Sequence, residues 1–328
     1  MSSQTISIVT AFYNEAQNLP LFRERVTDLL AALPHHGEIV LVDDHSNDDS
    51  SRIAKDWAGA DDRVRYIRLS RNCGSHAAFS AGLAHSTGDC AVLLAADLQD
   101  PPEMVPQLVE HWHAGSDVVW AVRLARQGES WTTKTFAAAS YWLMRRVALP
   151  EMPAGGADFL LVDRKVIDAY CAIAEKNTSI LAMILWMGFR QSFVPYVKQA
   201  RHAGKSKWTL TKKFKLFVDS MASFSYAPIR WMSLFGFATA LAGFLYATFV
   251  IVARLAGWIA TGTGFAALMT VVLTGQGITM MMLGVLGEYL WRTYDEARRR
   301  PRYIVEENVS MADESSRTTQ QSTLKRAA

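Results

Sequence analysis

From Trp231 to Ala253 there is no charged residue, and a second uncharged run extends from Leu255 to Gly287. At about 1.5 Å of rise per residue, either run coiled as a helix crosses the roughly 30 Å hydrocarbon core of a bilayer. The apolar density of the second run lies between Phe265 and Leu286, and the Gly/Thr-rich stretch from Ala260 to Gly264 supplies a turn between the two. A transmembrane hairpin is the expected result. A pair of buried core helices is the alternative, and runs this long and this uniformly apolar count against it.

The charges flanking the hairpin are asymmetric. Lys205, Lys207, Lys212, Lys213, Lys215 and Arg230 precede it, Arg292, Arg298, Arg299, Arg300 and Arg302 follow it, and the connecting turn carries only Arg254. By the positive-inside rule both flanks, and with them both termini, are expected on the cytoplasmic side of an inner (cytoplasmic) membrane. Between Trp208 and Phe224 the apolar residues Trp208, Leu210, Phe214, Phe217, Val218, Met221 and Phe224 recur at three- and four-residue steps with lysines between them. This predicts an interfacial helix against anionic headgroups, with an ordinary amphipathic core helix as the alternative. Ser310 to Ala328 is polar and aperiodic, and reads as a disordered tail. The lipid bilayer is therefore an expected partner. The net charge of +3 is too small for a nucleic-acid surface, so no nucleic acid is expected. The sequence is compatible with a homo-oligomer.

The first two hundred residues follow a different pattern. Short β-branched runs at Ile6–Phe12, Glu38–Asp44, Val64–Leu69, Cys90–Asp97 and Val118–Val122 alternate with helical spacings such as Leu19, Phe22, Val26, Leu29, Leu30 and Leu33. This predicts an α/β domain with a mostly parallel sheet and flanking helices, its ligands beyond the carboxyl ends of the strands. The expected boundaries are a cytoplasmic domain over 1–205, a juxtamembrane interfacial helix over 206–229, the hairpin over 230–292 and a cytoplasmic tail over 293–328. Cys73, Cys90 and Cys171 are odd in number and far apart, which argues against both a disulfide framework and a zinc site. Met1 to Ser7 lacks a basic segment followed by an apolar one, so the first domain is not expected to be secreted.

Polar clusters close three of the predicted strands: Tyr13-Asn14-Glu15, Asp43-Asp44-His45-Ser46 and Asp97-Leu98-Gln99-Asp100-Pro101-Pro102. Any one alone is as readily a helix cap or a turn. Together they supply what a nucleotide-sugar site requires: a carboxylate for the base edge (Asp43), an aromatic to pack on it (Tyr13), and an acid near a divalent cation that neutralises the diphosphate (Asp97). Neither GxGxxG nor GxxxxGK[ST] occurs, so a dinucleotide fingerprint and a P-loop are both unsupported.

The segments Ser7-Ile-Val-Thr-Ala-Phe-Tyr-Asn-Glu15, Val42-Asp-Asp-His-Ser46, Leu69-Ser-Arg-Asn-Cys-Gly74 and Asp97-Leu-Gln-Asp-Pro-Pro-Glu103 resemble the family 2 glycosyltransferases with a GT-A fold. More narrowly they resemble the polyprenyl-phosphate branch, which includes dolichol-phosphate mannose synthases and bactoprenol-phosphate glycosyltransferases. The resemblance continues through Gly156-Ala-Asp158-Phe159, Gly204-Lys-Ser-Lys207, Ser225-Tyr-Ala-Pro228, Gly287-Glu-Tyr289 and Arg300-Pro-Arg-Tyr-Ile304. It implies an inverting transfer of a sugar from a nucleotide diphosphate, by default UDP, to a polyprenyl phosphate. It assigns Tyr13, Glu15, Asp43 and Arg71 to the nucleotide sugar, and Asp97 and Gln99 to a divalent cation (Mg or Mn) and the diphosphate. Arg123, Lys134, Arg201, Ser206 and Lys207 fall to the acceptor phosphate, and Asp158, with Asp97, to catalysis.

Two positions depart from the resemblance. The family usually has Asp-x-Asp where this chain has Ala95-Ala96-Asp97, so weaker metal binding is expected; Leu160 stands where Arg is common after Asp-Phe. A catalytically silent membrane scaffold of the same fold is the alternative that Ala95 supports. A processive polysaccharide synthase is less favoured, because Arg230-Trp231 is preceded by Ala227 instead of the Gln of Gln-x-x-Arg-Trp.

Overall fold

The structure is a computed structural model. It describes residues 4–123, 142–146, 149–153, 157–173, 175–176, 178–199, 219, 221, 223–258 and 264–310. The chain divides into two units, Met1–Phe217 with Pro301–Ala328, and Val218–Arg300.

The first unit is built on an eight-stranded sheet. Its strands are β1 (Thr5–Phe12), β2 (His36–Asp43), β3 (Val64–Leu69), β4 (Cys90–Ala95), β5 (Val118–Arg123), β6 (Ala157–Asp163), β7 (Gln191–Tyr196) and β8 (Val305–Val309), in the spatial order β7-β5-β6-β4-β1-β2-β3-β8. The central block β4-β1-β2-β3 is parallel, as is β5-β7, while β6 and β8 run antiparallel to their neighbours. The α/β expectation is met. The helices are α1 (Leu19–Ala32), α2 (Ser50–Ala60), α3 (Ser75–His85), α4 (Val105–His113), α5 (Arg164–Ala172) and α6 (Ile180–Trp186). Strands β1, β2 and β4 are apolar on both faces because helices cover both, which is why they read as continuous β-branched runs. Leu19, Phe22, Val26, Leu29 and Leu30 form the buried stripe of α1, and Phe22 meets Trp57 of α2 edge-on. Each such fully buried side chain stabilises the fold by roughly 1.5–3 kcal/mol.

Helix α3 lies close to the sheet. A Cβ on Gly82 would sit 2.2 Å from Val9 Cγ1, so only glycine allows this approach of α3 to β1 and β2. The expected strands β1 to β5 are all present. Strands β6, β7 and β8 were not anticipated, and β8 lies inside the stretch that the sequence assigns to a tail. Leu160 is fully buried in β6, paired between Leu93 and Trp120, a core position at which a charged side chain would have no water.

In the second unit two long helices dominate, α7 (Ala227–Leu255) and α8 (Phe265–Ala297). Both are long and apolar enough to cross a membrane, and none of the apolar window of either is buried. The core-helix alternative is thereby lost, since a core helix would have its apolar residues covered. The two pack on each other where Gly236 leaves room for the Met282 side chain. Tyr289 donates its hydroxyl to the Ser225 carbonyl at 2.9 Å, and Arg292 bridges Asp219 and Glu288. The turn over 259–263 and most of the expected interfacial helix lie outside the described residues.

Candidate active site

The chain order β1-β2-β3 steps outward on one side of β1, and β4 returns to its other side. The crevice between the carboxyl ends of β1 and β4 is therefore the topological switch point, where open α/β sheets bind ligands. Tyr13 to Glu15 leave β1 there, and Asp97 to Asp100 leave β4.

Each of the three strand-end clusters contains one residue in the left-handed region: Asn14 (φ 52°), His45 (φ 66°) and Leu98 (φ 58°). Asn and His tolerate this conformation; for Leu it is strained and requires a compensating contact. That contact is burial, for Leu98 is 2% exposed within the core. Leu98 and Asp100 are buried while Asp97 and Gln99 are half-buried, so the strained turn leaves a carboxylate and an amide within reach of solvent at this strand end. The Gln99 backbone N–H donates to Asp97 Oδ1 at 3.2 Å. Asp100, buried, accepts the Tyr196 hydroxyl at 2.6 Å, and Gln199 donates its N–H to the Gln99 carbonyl at 2.9 Å.

The other two clusters hold one another. Asn14 donates its N–H to Ser46 Oγ at 3.0 Å, its side-chain oxygen accepts the Asn47 N–H at 2.8 Å, and the Glu15 N–H donates to Ser50 Oγ at 2.8 Å. Glu15 Oε2 accepts from Asn18 at 2.6 Å. A cavity of about 420 Å³ opens here over Asn14, Glu15, Asn18, Asp48 and Asp49. Asp43, expected at the base edge, is instead 0% exposed at the end of β2. It accepts the Ser46 N–H at 2.7 Å, Arg68 Nη1 at 2.9 Å, the Tyr66 hydroxyl at 3.0 Å and the Ser51 hydroxyl. Burial, reinforced by the Asp43 charge, pushes the Tyr66 hydroxyl pKa well up, so it stays a donor. Asp44 accepts the N–H groups of Cys73 and Gly74 at 2.6 and 2.8 Å, which fixes the loop between β3 and α3. Desolvation raises the Asp44 pKa to about 6, against those two N–H groups and with help from the Asp43 charge.

On the far side of the crevice, Arg123 ends β5 at the same edge of the sheet. Asp158 lies between the pairs Ala121–Phe159 and Val122–Ala157, which makes it the extra residue of a β-bulge at that edge. Lys134, Arg201, Ser206 and Lys207 lie outside the described residues. Arg71 is exposed on the β3–α3 loop.

The carboxyl edge of the sheet thus gathers Tyr13, Glu15, Asp97, Gln99, Arg123 and Asp158, which stand far apart in sequence. Sequence reasoning missed part of the support beneath them: the buried Tyr66 and Tyr196 and the half-buried Arg68 and Ser51. The one available signal was the run of Asp, Asn and Ser from Asp43 to Ser51. No group of three His, Cys, Asp or Glu residues encloses a metal position among the described residues. The half-buried pair Asp97 and Gln99 fits a hard cation that takes most of its oxygens from a bound diphosphate, a mode in which one protein carboxylate suffices.

Residues 7–170 match the family model described as glycosyl transferase family 2. A Bacillus subtilis (strain 168) protein named uncharacterized glycosyltransferase YkcC is 37% identical, over 93% of this chain and 94% of its own length. The bactoprenol glucosyl transferase of Shigella phage SfX is 33% identical, covering 92% and 98%. The undecaprenyl-phosphate 4-deoxy-4-formamido-L-arabinose transferase of Klebsiella pneumoniae (strain 342) is 34% identical, covering 95% and 96%.

Proposed function

The chain belongs to glycosyl transferase family 2, and from that premise we propose that it moves a sugar from a nucleotide diphosphate to a polyprenyl phosphate at the cytoplasmic face of a membrane. The observation that carries the reading is the half-buried pair Asp97 and Gln99 on either side of the buried Leu98, at the end of β4 next to β1, whose own end carries Tyr13 and Glu15. The lipid acceptor is supported by relatives named for bactoprenol and undecaprenyl phosphate, similar over nearly their whole lengths, and by two exposed apolar helices.

In the proposed reaction an acceptor phosphate oxygen attacks the anomeric carbon from the face opposite the nucleotide diphosphate. The new carbon–oxygen bond forms as the bond to the β-phosphate oxygen breaks, its electron pair leaves with the diphosphate, and the configuration inverts. A phosphomonoester is largely ionised near neutral pH, with a second pKa around 6, so no strong base is needed. Positioning and stabilisation of the leaving charge supply the rate. A divalent cation bound by Asp97 and Gln99 would neutralise charge on the leaving diphosphate. Tyr13, Glu15 and Arg71 hold the nucleotide, Asp43 braces the turn of Tyr13 and Glu15 through Ser46, and Arg123 and Asp158 orient the acceptor phosphate. Lys134, Arg201, Ser206 and Lys207 are assigned to the same acceptor phosphate by the resemblance. UDP is the default donor nucleotide, both termini are cytoplasmic, and a homo-oligomer is compatible with the reading.

The test is purified protein in detergent with undecaprenyl phosphate and a panel of radiolabelled nucleotide sugars, with and without Mg or Mn. Lipid-linked sugar formed only with the cation is the expected result; no lipid product from any donor refutes the reading. A second reading, a silent scaffold, is favoured by Ala95 at the end of β4, and nucleotide-sugar binding without turnover would select it.

A further inference from the structure

The chain leaves α8 at Ala297 and from Pro301 belongs again to the sheet unit. Its return is tied at several points. Arg302 donates to Ser80 Oγ at 3.1 Å, to the Tyr170 hydroxyl at 2.7 Å and to the Thr178 carbonyl. The Ile304 carbonyl accepts the Ser70 N–H at 2.9 Å, and β8 then pairs antiparallel with β3. That pairing is irregular: Arg68 faces Glu307 and Leu69 faces Val305, so Glu306 is the extra residue of a bulge. Bulges re-aim side chains, and this one directs the Glu306 carboxylate onto Arg68 Nε at 3.0 Å and to 3.7 Å from His45 Nδ1.

Arg68 connects Glu306 to the site. The same guanidinium donates to Asp43 Oδ2 at 2.9 Å, to Ser51 Oγ at 2.5 Å and to the Ser46 carbonyl at 3.3 Å, and Ser46 Oγ in turn holds Asn14. Arg68 is 17% exposed and Glu306 45% in their side chains. Held by Glu306 on one side and Asp43 on the other, the guanidinium has a single orientation, and with it the two turns that carry Tyr13, Glu15 and Asp43. His45 Nδ1 lies 3.1 Å from the Leu69 carbonyl, so that nitrogen carries the proton and the imidazole braces the same corner.

The geometry points to Glu306 as a positioning residue for the donor nucleotide: the strand that follows the membrane helices sets donor affinity through Arg68. This rests on the donor site of the proposed function. It assigns β8 to substrate binding and not merely to sheet stability.

The experiment compares full-length wild type with Glu306→Ala, Glu306→Gln and Glu307→Gln. It measures Kd for UDP and for GDP with Mg, donor and acceptor KM, kcat, and thermal unfolding. Glu306→Ala is expected to raise the Kd for the bound nucleotide and the donor KM about fivefold, with kcat and acceptor KM nearly unchanged. Glu306→Gln, whose amide oxygen still accepts from Arg68, recovers most of that loss and answers the question if the alanine variant does not fold. Glu307→Gln, which lies on the same strand but pairs with Lys55, leaves donor affinity as in wild type. Wild-type binding with unchanged affinity in both Glu306 variants overturns this inference alone. A wild type that binds neither nucleotide overturns the donor-site reading and this inference with it.

Discussion

The carboxylate of Asp44 accepts the backbone N–H of Gly74 at 2.8 Å, so the loop that opens α3 is held by the residue that follows the neighbouring strand. With Cys73 on its other oxygen, Asp44 acts as an internal clamp between the second and third strand ends.

That clamp is expected to titrate. Burial moves the Asp44 pKa from 3.8 up to about 6. The folded state thus binds this proton more tightly than the unfolded state. Its contribution to global stability is fully present below about pH 3.8 and is lost as the pH rises through about 6. The local effect runs the other way. Protonation removes an acceptor from one of the two N–H groups, so amide exchange at Cys73 and Gly74, corrected for intrinsic rates, speeds up as the pH falls below about 6. A carboxyl resonance for Asp44 titrating near 4 would refute the assignment.

Asp97→Asn keeps the shape of the strained turn and removes its charge. Transfer to polyprenyl phosphate should fall by about a hundredfold or more, with unfolding temperature nearly unchanged. Gln99→Ala should cost less, since a neutral ligand is more easily replaced by water. Wild-type turnover in the Asp97 variant would remove that carboxylate from the mechanism.

Gly82→Ala introduces a methyl group 2.2 Å from Val9 Cγ1. Overpacking of this kind costs about 1–3 kcal/mol, so thermal unfolding of the sheet unit should shift down. Because α3 begins at the Gly74 loop, nucleotide affinity should fall in the same variant. An unchanged unfolding temperature would show that α3 shifts without cost.

Tyr196→Phe removes the hydroxyl that donates to buried Asp100 at 2.6 Å. Losing a hydrogen bond to a charged group costs about 1.5–3 kcal/mol. Slower transfer should accompany the loss, because Asp100 closes the turn that presents Asp97 and Gln99. A fall in stability with full activity would confine Tyr196 to packing.

Legibility in the sequence followed burial. Strands β1 to β5 were readable because strands covered on both faces are apolar throughout or nearly so. Strand β7 was not, since Pro195 and the exposed Phe193 make it an edge strand with little pattern. Strand β8, Val-Glu-Glu-Asn-Val, has the charged composition that edge strands use against aggregation, which locally looks like tail. Among site residues, Tyr13, Glu15, Asp97 and Gln99 could be named from strand-end motifs, whereas Arg68 and Tyr66 read as ordinary members of β3.

The two apolar runs, the βαβ alternation and the polar clusters at strand ends were determined by the sequence alone, because hydropathy and turn chemistry act over a few residues. Only the tertiary structure decided that Glu306 meets Arg68 across 238 residues of chain. The pairing depends on sheet order and on a bulge in register, which arise from packing the whole unit and leave no local trace.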